Sequence, residues 1–127
     1  MNLNKITRLI QENNSAVPKA GIILGSGLGG FTEQLIDSVS IDYAELPEYP
    51  QSTVPGHAGK FITGNIGNLP VICARGRFHY YEGHDINTVT LPVEIFYKLG
   101  CDTVIVTNAA GCVRTDWNPS DLMLITN

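Results

Sequence analysis

The chain has 127 residues, 43% of them hydrophobic, which is enough for one compact domain spanning 1–127 and leaves no room for a second. A formal net charge of −4 excludes a broad electrostatic grip on nucleic acid or on an anionic membrane, so an anionic ligand has to be held by local groups. Cys73, Cys101 and Cys112 form no C-x-x-C pair and close neither a disulfide framework nor a zinc site. They read as three reduced thiols of a cytoplasmic protein. Residues 1–11 lack the apolar core of a signal peptide, and no stretch is long enough to span a bilayer.

Leu3, Ile6, Leu9 and Ile10 fall at helical spacing and predict a short amphipathic helix that fades in the polar run from Glu12 to Ser15. Residues 20–24 read as a buried strand, 29–37 as a helix behind a glycine loop, and 39–43 as a second strand with alternating Val39, Ile41 and Tyr43. After a proline-rich passage, Phe61 to Ile66 and Val71 to Ala74 flank Gly67-Asn68 as an antiparallel hairpin. A helix is predicted over 88–99, with Pro92 tolerable only near its first turn and Gly100 as its C-terminal cap. Thr103 to Thr107 reads as a β-branched strand, 108–119 as a polar loop, and Leu122 to Thr126 as a last strand without a covering element. That pattern is expected of the front part of a larger α/β domain.

Four segments are rich in chemistry. Gly25-Ser26-Gly27-Leu28-Gly29-Gly30 follows the apolar run Ile22-Ile23-Leu24, so a strand empties into a glycine loop. Such a loop brings backbone N–H groups close to a phosphate, and Ser26 adds a hydroxyl. The same residues fit the dinucleotide fingerprint G-x-G-x-x-G, with Asp42 or Glu45 within reach of a ribose, and they also fit a tight turn with no ligand. In Gly76-Arg77-Phe78-His79-Tyr80-Tyr81-Glu82-Gly83, an extended backbone puts Arg77, His79 and Tyr81 on one face and turns Phe78 and Tyr80 into packing. A guanidinium, an imidazole and a phenol on one wall suit a phosphate and a sugar hydroxyl. A solvated strand edge with an Arg77–Glu82 pair is the plainer alternative. His57 lies in a turn framed by Pro55, Gly56 and Gly59, as a gate or proton partner or as an idle turn histidine, and His84 has no assigned task. Asn108-Ala109-Ala110-Gly111 follows the 103–107 strand with side chains small enough to leave backbone N–H groups accessible. No histidine pair has metal-ligand spacing.

Together, Gly21–Gly29, Ser52–Gly59, Gly76–Gly83 and Val106–Gly111 resemble the purine nucleoside phosphorylase family, the trimeric inosine/guanosine type, in family order along nearly the whole chain. The resemblance implies a mixed, partly barrelled α/β sheet flanked by helices. It implies phosphorolysis, in which a purine nucleoside and inorganic phosphate give the free base and (deoxy)ribose 1-phosphate, as in purine salvage, with no other cofactor and no metal. Ser26, Arg77 and His79 match the family's phosphate ligands, beside the backbone N–H of Ala109. Tyr81 matches the ribose contact, His57 a histidine near phosphate and sugar, and Asn108 a residue lining the pocket next to sugar and base. Arg75, outside the Gly76–Gly83 segment, reads as a surface or supporting charge. Cys112 stands where the family usually has a second glycine. The family's base-recognising Glu and Asn belong to the other half of its sequence, so the chain alone is expected to be inactive. A catalytically dead anion-binding or partner-binding remnant is the second function class, and a dinucleotide module the third.

Overall fold

The computed structural model describes residues 1–51 and 59–126; the turn that carries His57 lies outside them. Its core is one five-stranded mixed sheet, made of β1 (Ala20–Leu24), β2 (Ile36–Asp42), β3 (Lys60–Ile66), β4 (Leu69–Arg75) and β5 (Thr103–Val106), in the order β2-β3-β4-β1-β5. β1 runs parallel to both β4 and β5, whereas β2, β3 and β4 are antiparallel neighbours. The five residues of β1 are buried throughout, as expected of a parallel strand with a neighbour on each edge. The β3–β4 hairpin turns at Gly67-Asn68, with Gly67 at φ +58°.

Helix α1 (Leu3–Asn13) starts at Asn2, whose Oδ1 accepts from the amides of Asn4 and Lys5 at 3.1 and 3.4 Å. Its apolar stripe buries Ile6 and Ile10 against α2 (Ile86–Leu99). Asp85 caps α2 by accepting from the Thr88 amide at 2.7 Å, and Gly100, in the left-handed region at φ +95°, ends it. Alternation along the strands sorts the interior into two layers. Ile23, Ile72, Ala74 and Phe61 join Ile6, Ile10, Ile95 and Phe96 on the face covered by α1 and α2, while Ile22, Leu24, Ile62, Val71 and Cys73 join Leu35 on the other. Phe96 is fully buried, so its truncation to alanine would cost about 3–5 kcal/mol.

Several sequence expectations are corrected. The helix expected over 29–37 is a short 3₁₀ turn, Gly29–Gln34, in which Thr32 Oγ1 bonds back to the Gly29 carbonyl at 2.9 Å; Leu35 then drops into the core and the chain extends into β2. β2 therefore spans 36–42 rather than 39–43, and Tyr43 opens another 3₁₀ turn, Tyr43–Glu45, with its ring in the core. Pro92 lies seven residues into α2 rather than in its first turn; its ring is buried, so packing offsets the missing hydrogen bond to Thr88. Leu122–Thr126 is not a strand among the described residues: it has no ladder partner, and Leu122 is 98% exposed. Among the described residues, no helix is long and apolar enough to cross a membrane.

The register lets three parallel strands finish side by side. Leu24 pairs with Arg75, and Ile23 with Val106. The glycine loop, the Gly76–Gly83 segment and the Asn108 segment thus all leave the sheet from one edge, where ligands of open α/β sheets collect.

Candidate anion site

Thr107, one residue past β5, ties the three segments together. Its hydroxyl accepts from the Gly25 amide at 2.9 Å and donates to the Ile23 carbonyl at 2.9 Å, and its own amide donates to that carbonyl at 3.1 Å. Its carbonyl accepts from Arg77 Nη1 at 3.0 Å. The glycine loop is pressed so closely onto this strand end that a Cβ on Gly25 would come within 2.6 Å of the Thr107 carbonyl oxygen and 2.7 Å of Asn108 Cα. Only glycine permits that approach. Nothing in the 107–111 segment singled out Thr107, because the partners of its hydroxyl lie more than 80 residues earlier in the chain.

The Gly76–Gly83 segment does not continue the strand. β4 ends at Arg75, Gly76 takes φ +99°, and its carbonyl accepts from the hydroxyl of core Tyr43 at 2.8 Å. After this turn, Arg77, His79 and Tyr81 come together by direct contact rather than by strand alternation. Arg77 Nε donates to His79 Nε2 at 3.1 Å, and the Tyr81 ring stacks on the His79 ring with centroids 4.7 Å apart and planes inclined by 20°. Phe78 packs inward as expected; Tyr80 does not, and is 72% exposed. Tyr80 opens the 3₁₀ turn Tyr80–Glu82, where a period of two no longer holds, so the two aromatic residues behave differently.

Glu82 completes this chain of contacts, and the sequence reading gave it no role in the site. Its Oε1 lies 3.1 Å from His79 Nδ1 and its Oε2 accepts from the His79 amide at 3.3 Å. A guanidinium can only donate, so Nε2 of His79 accepts from Arg77 and the ring proton sits on Nδ1, directed at Glu82. The hydrogen bond from His79 holds the Glu82 carboxyl below its ordinary range, helped by His84, whose Nε2 lies 3.6 Å from Oε2. His84 in turn meets the Phe78 ring edge-on at 4.9 Å. The three-residue spacing of Glu82 from His79, which caps the 3₁₀ turn Tyr80–Glu82, was the available signal. The Arg77–Glu82 pair of the plainer alternative does not form; both residues contact His79 instead.

A cavity of about 260 Å³ opens between α2 and the ends of β1 and β5. Ile23, Val89, Pro92 and Val106 form an apolar floor, and Arg77 and His79 form a polar rim with Tyr81, itself 82% exposed. Ser26, Asn108 and Ala109 are exposed and do not line this cavity. Asn108 abuts the loop at Gly25, and Ser26 stands next in that loop. The arrangement offers a guanidinium fork, a carboxylate-backed imidazole and a glycine loop at one sheet edge, which suits an anion carried on a partly apolar ligand.

A family model described as Phosphorylase superfamily matches residues 19–127. The chain is 43% identical over 125 residues to purine nucleoside phosphorylase 1 of Bacillus subtilis, covering 98% of this chain and 46% of that protein. It is 46% identical over 108 residues to purine nucleoside phosphorylase of Rattus norvegicus, covering 85% and 37%. It thus spans less than half the length of the curated relatives it matches. Among solved structures, a purine nucleoside phosphorylase in complex with ribose-1-phosphate superposes with a TM-score of 0.79 at 43% identity, over 87% of this chain and 40% of that one. The Schistosoma mansoni purine nucleoside phosphorylase in complex with inosine gives 0.81 at 37% identity, over 91% and 40%. With the family match covering most of its length and the mixed α/β sheet shared with these structures, the chain belongs to the phosphorylase superfamily.

Proposed function

We propose that this chain forms the phosphate- and ribose-binding side of a purine nucleoside phosphorylase. The observation that carries the reading is the Arg77–His79–Glu82 chain of contacts, anchored on Thr107 beside the glycine loop. In this reading Arg77, His79, Ser26 and the Ala109 amide hold inorganic phosphate, Tyr81 meets the ribose, and Asn108 lies next to sugar and base. His57, outside the described residues, keeps the role near phosphate and sugar that the resemblance gives it. Two of the similar structures hold ribose-1-phosphate and inosine, which between them carry a phosphate, a ribose and a purine base.

The residue types suit phosphorolysis. The glycosidic bond breaks through a cationic, oxocarbenium-like sugar, and a phosphate fixed beside the anomeric carbon both stabilises that charge and captures it. The new bond joins phosphate oxygen to the anomeric carbon, and the electron pair of the broken bond leaves with the purine, which takes up a proton. Arg77 Nε donates to His79 Nε2 at 3.1 Å. An arriving phosphate would draw the guanidinium fork to its oxygens and leave Nε2 facing the anion. The Glu82 carboxylate, 3.1 Å from Nδ1, fixes the orientation of the ring. Phosphate is the co-substrate, and the chemistry asks for no other cofactor.

The residues assigned here leave the purine's polar edge without a partner. We therefore expect the chain alone to bind phosphate and to leave inosine uncleaved, base recognition and a homotrimeric assembly belonging to the longer family sequence. Calorimetric titration with inorganic phosphate tests the reading: saturable binding is expected, and Arg77→Ala should weaken it roughly 10- to 150-fold, the loss expected for charge-assisted hydrogen bonds of about 1.5–3 kcal/mol. Binding unaffected by Arg77→Ala would refute the assignment, and brisk phosphorolysis by the 127-residue chain would refute the division of the site.

A further inference from the structure

The chain has four arginines. Arg8 is paired with Glu12 at 2.8 Å, and Arg114 with Asp116. The other two, Arg75 and Arg77, stand two residues apart beside the glycine loop, and among the described residues neither is paired with a carboxylate. In a chain of net charge −4, two uncompensated guanidinium groups at one loop concentrate positive charge there.

They reach the loop from opposite faces of the sheet. Along β4, Val71 and Cys73 belong to the layer with Leu35 and Phe31, and the period of two places Arg75 on that side, in register with Leu24 just before the loop. Arg77, beyond the Gly76 turn, rims the cavity on the α2 side. The Arg75 guanidinium lies over Gly29: a Cβ built there would sit 2.9 Å from Nε and 3.3 Å from both Cζ and Nη2. Gly29 thus leaves room for a cation rather than for a backbone turn.

We propose that Arg75 is a positioning residue of the glycine loop, a second cation that braces the loop at Gly29 and raises its affinity for inorganic phosphate or a phosphate monoester. This rests on the reading of the loop as part of an anion site. Arg75 acts through the loop backbone, whereas Arg77 meets the anion itself. Its contribution is that of an exposed charge, about three- to fivefold in affinity.

Gly29→Ala supplies a probe that leaves the charge in place. Gly29 does not adopt a left-handed conformation, and among the described residues the three atoms nearest a new Cβ all belong to the flexible end of Arg75, so alanine displaces the guanidinium without disturbing the loop fold. Phosphate affinity would be measured by calorimetry on the wild-type chain, Arg75→Ala, Arg75→Lys, Gly29→Ala, the Arg75→Ala/Gly29→Ala double variant and Arg77→Ala, with thermal denaturation confirming that each is folded. Arg75→Ala and Gly29→Ala should each weaken binding about three- to fivefold, the double variant no more than Arg75→Ala, and Arg75→Lys less than either. The dependence of affinity on ionic strength should flatten in Arg75→Ala. A loss below about 1.5-fold in Arg75→Ala, or a Gly29→Ala effect that persists undiminished in the Arg75→Ala background, would overturn the proposal while a large Arg77→Ala effect left the anion site standing. No phosphate binding by the wild-type chain, or none lost in Arg77→Ala, would overturn the anion site and this inference with it.

Discussion

Replacing Thr107 with valine keeps the shape of the side chain and removes one hydroxyl, and the consequences follow from its two hydrogen bonds. The Ile23 carbonyl keeps a partner, because the Thr107 amide still donates to it at 3.1 Å. The Gly25 amide loses its acceptor at 2.9 Å, in a residue buried at the root of the loop. A donor stranded in this way costs about 1–3 kcal/mol, and the partial exposure of Thr107 favours the lower half of that range, about 1–2 kcal/mol. For a chain of this size, that should lower Tm by about 3–10 °C. Thr107→Ser, which retains the hydroxyl, should recover most of the loss. Thermal and urea denaturation followed by circular dichroism would measure both, with phosphate affinity as a second readout, since the displaced loop should bind the anion less well. A Thr107→Val variant within about 0.3 kcal/mol of wild type, or a serine variant as unstable as the valine one, would show that the hydroxyl does not hold the loop.

Two further outcomes follow from ionisation. Glu82 is held below its ordinary value of 4.5 by the hydrogen bond from His79, so its contribution to stability is fully present above that value and fades as pH falls through the lowered one. The stability gap between wild type and Glu82→Gln should therefore close in acid below about pH 4.5, and a gap that widened there would contradict the assignment. Burial pushes the thiols of Cys73 and Cys101 up to about 11, the carboxylate of Asp102 adding to the effect at Cys101, so under about 0.1% of either is thiolate at pH 7.5. Brief alkylation read by mass spectrometry should label exposed Cys112 first, and labelling of Cys73 ahead of it would show that the described packing is wrong.

What the sequence disclosed and what it hid divide along the range of the interactions. The Leu3–Ile10 stripe, the Gly67-Asn68 hairpin and the Gly100 end of α2 are local patterns whose physics acts within a few residues, and all lie close to where the pattern puts them, whereas α2 starts at Ile86, capped by Asp85, two residues before the predicted start at 88. The glycine loop was legible as a loop. That Gly25 is pressed onto Thr107 and Gly29 lies under Arg75 was not, because both contacts join segments distant in sequence. The wall of Arg77, His79 and Tyr81 was anticipated for a reason that does not hold: the strand stops at Arg75, and a turn at Gly76 with ring stacking brings the side chains together. Leu122–Thr126 illustrates the reverse error, since β-branched and apolar residues make a strand only where a neighbour pairs with them.

The most direct test of the central claim is to locate the anion. In crystals of this chain grown with phosphate or sulfate, the anion should lie between the Gly25–Gly29 loop and the Arg77 and His79 side chains, with Ser26 turned toward it and Arg77 Nε released from His79 Nε2. An anion found only at surface lysines, with Arg77 still bonded to His79 and pointing away from Ser26, would contradict the account.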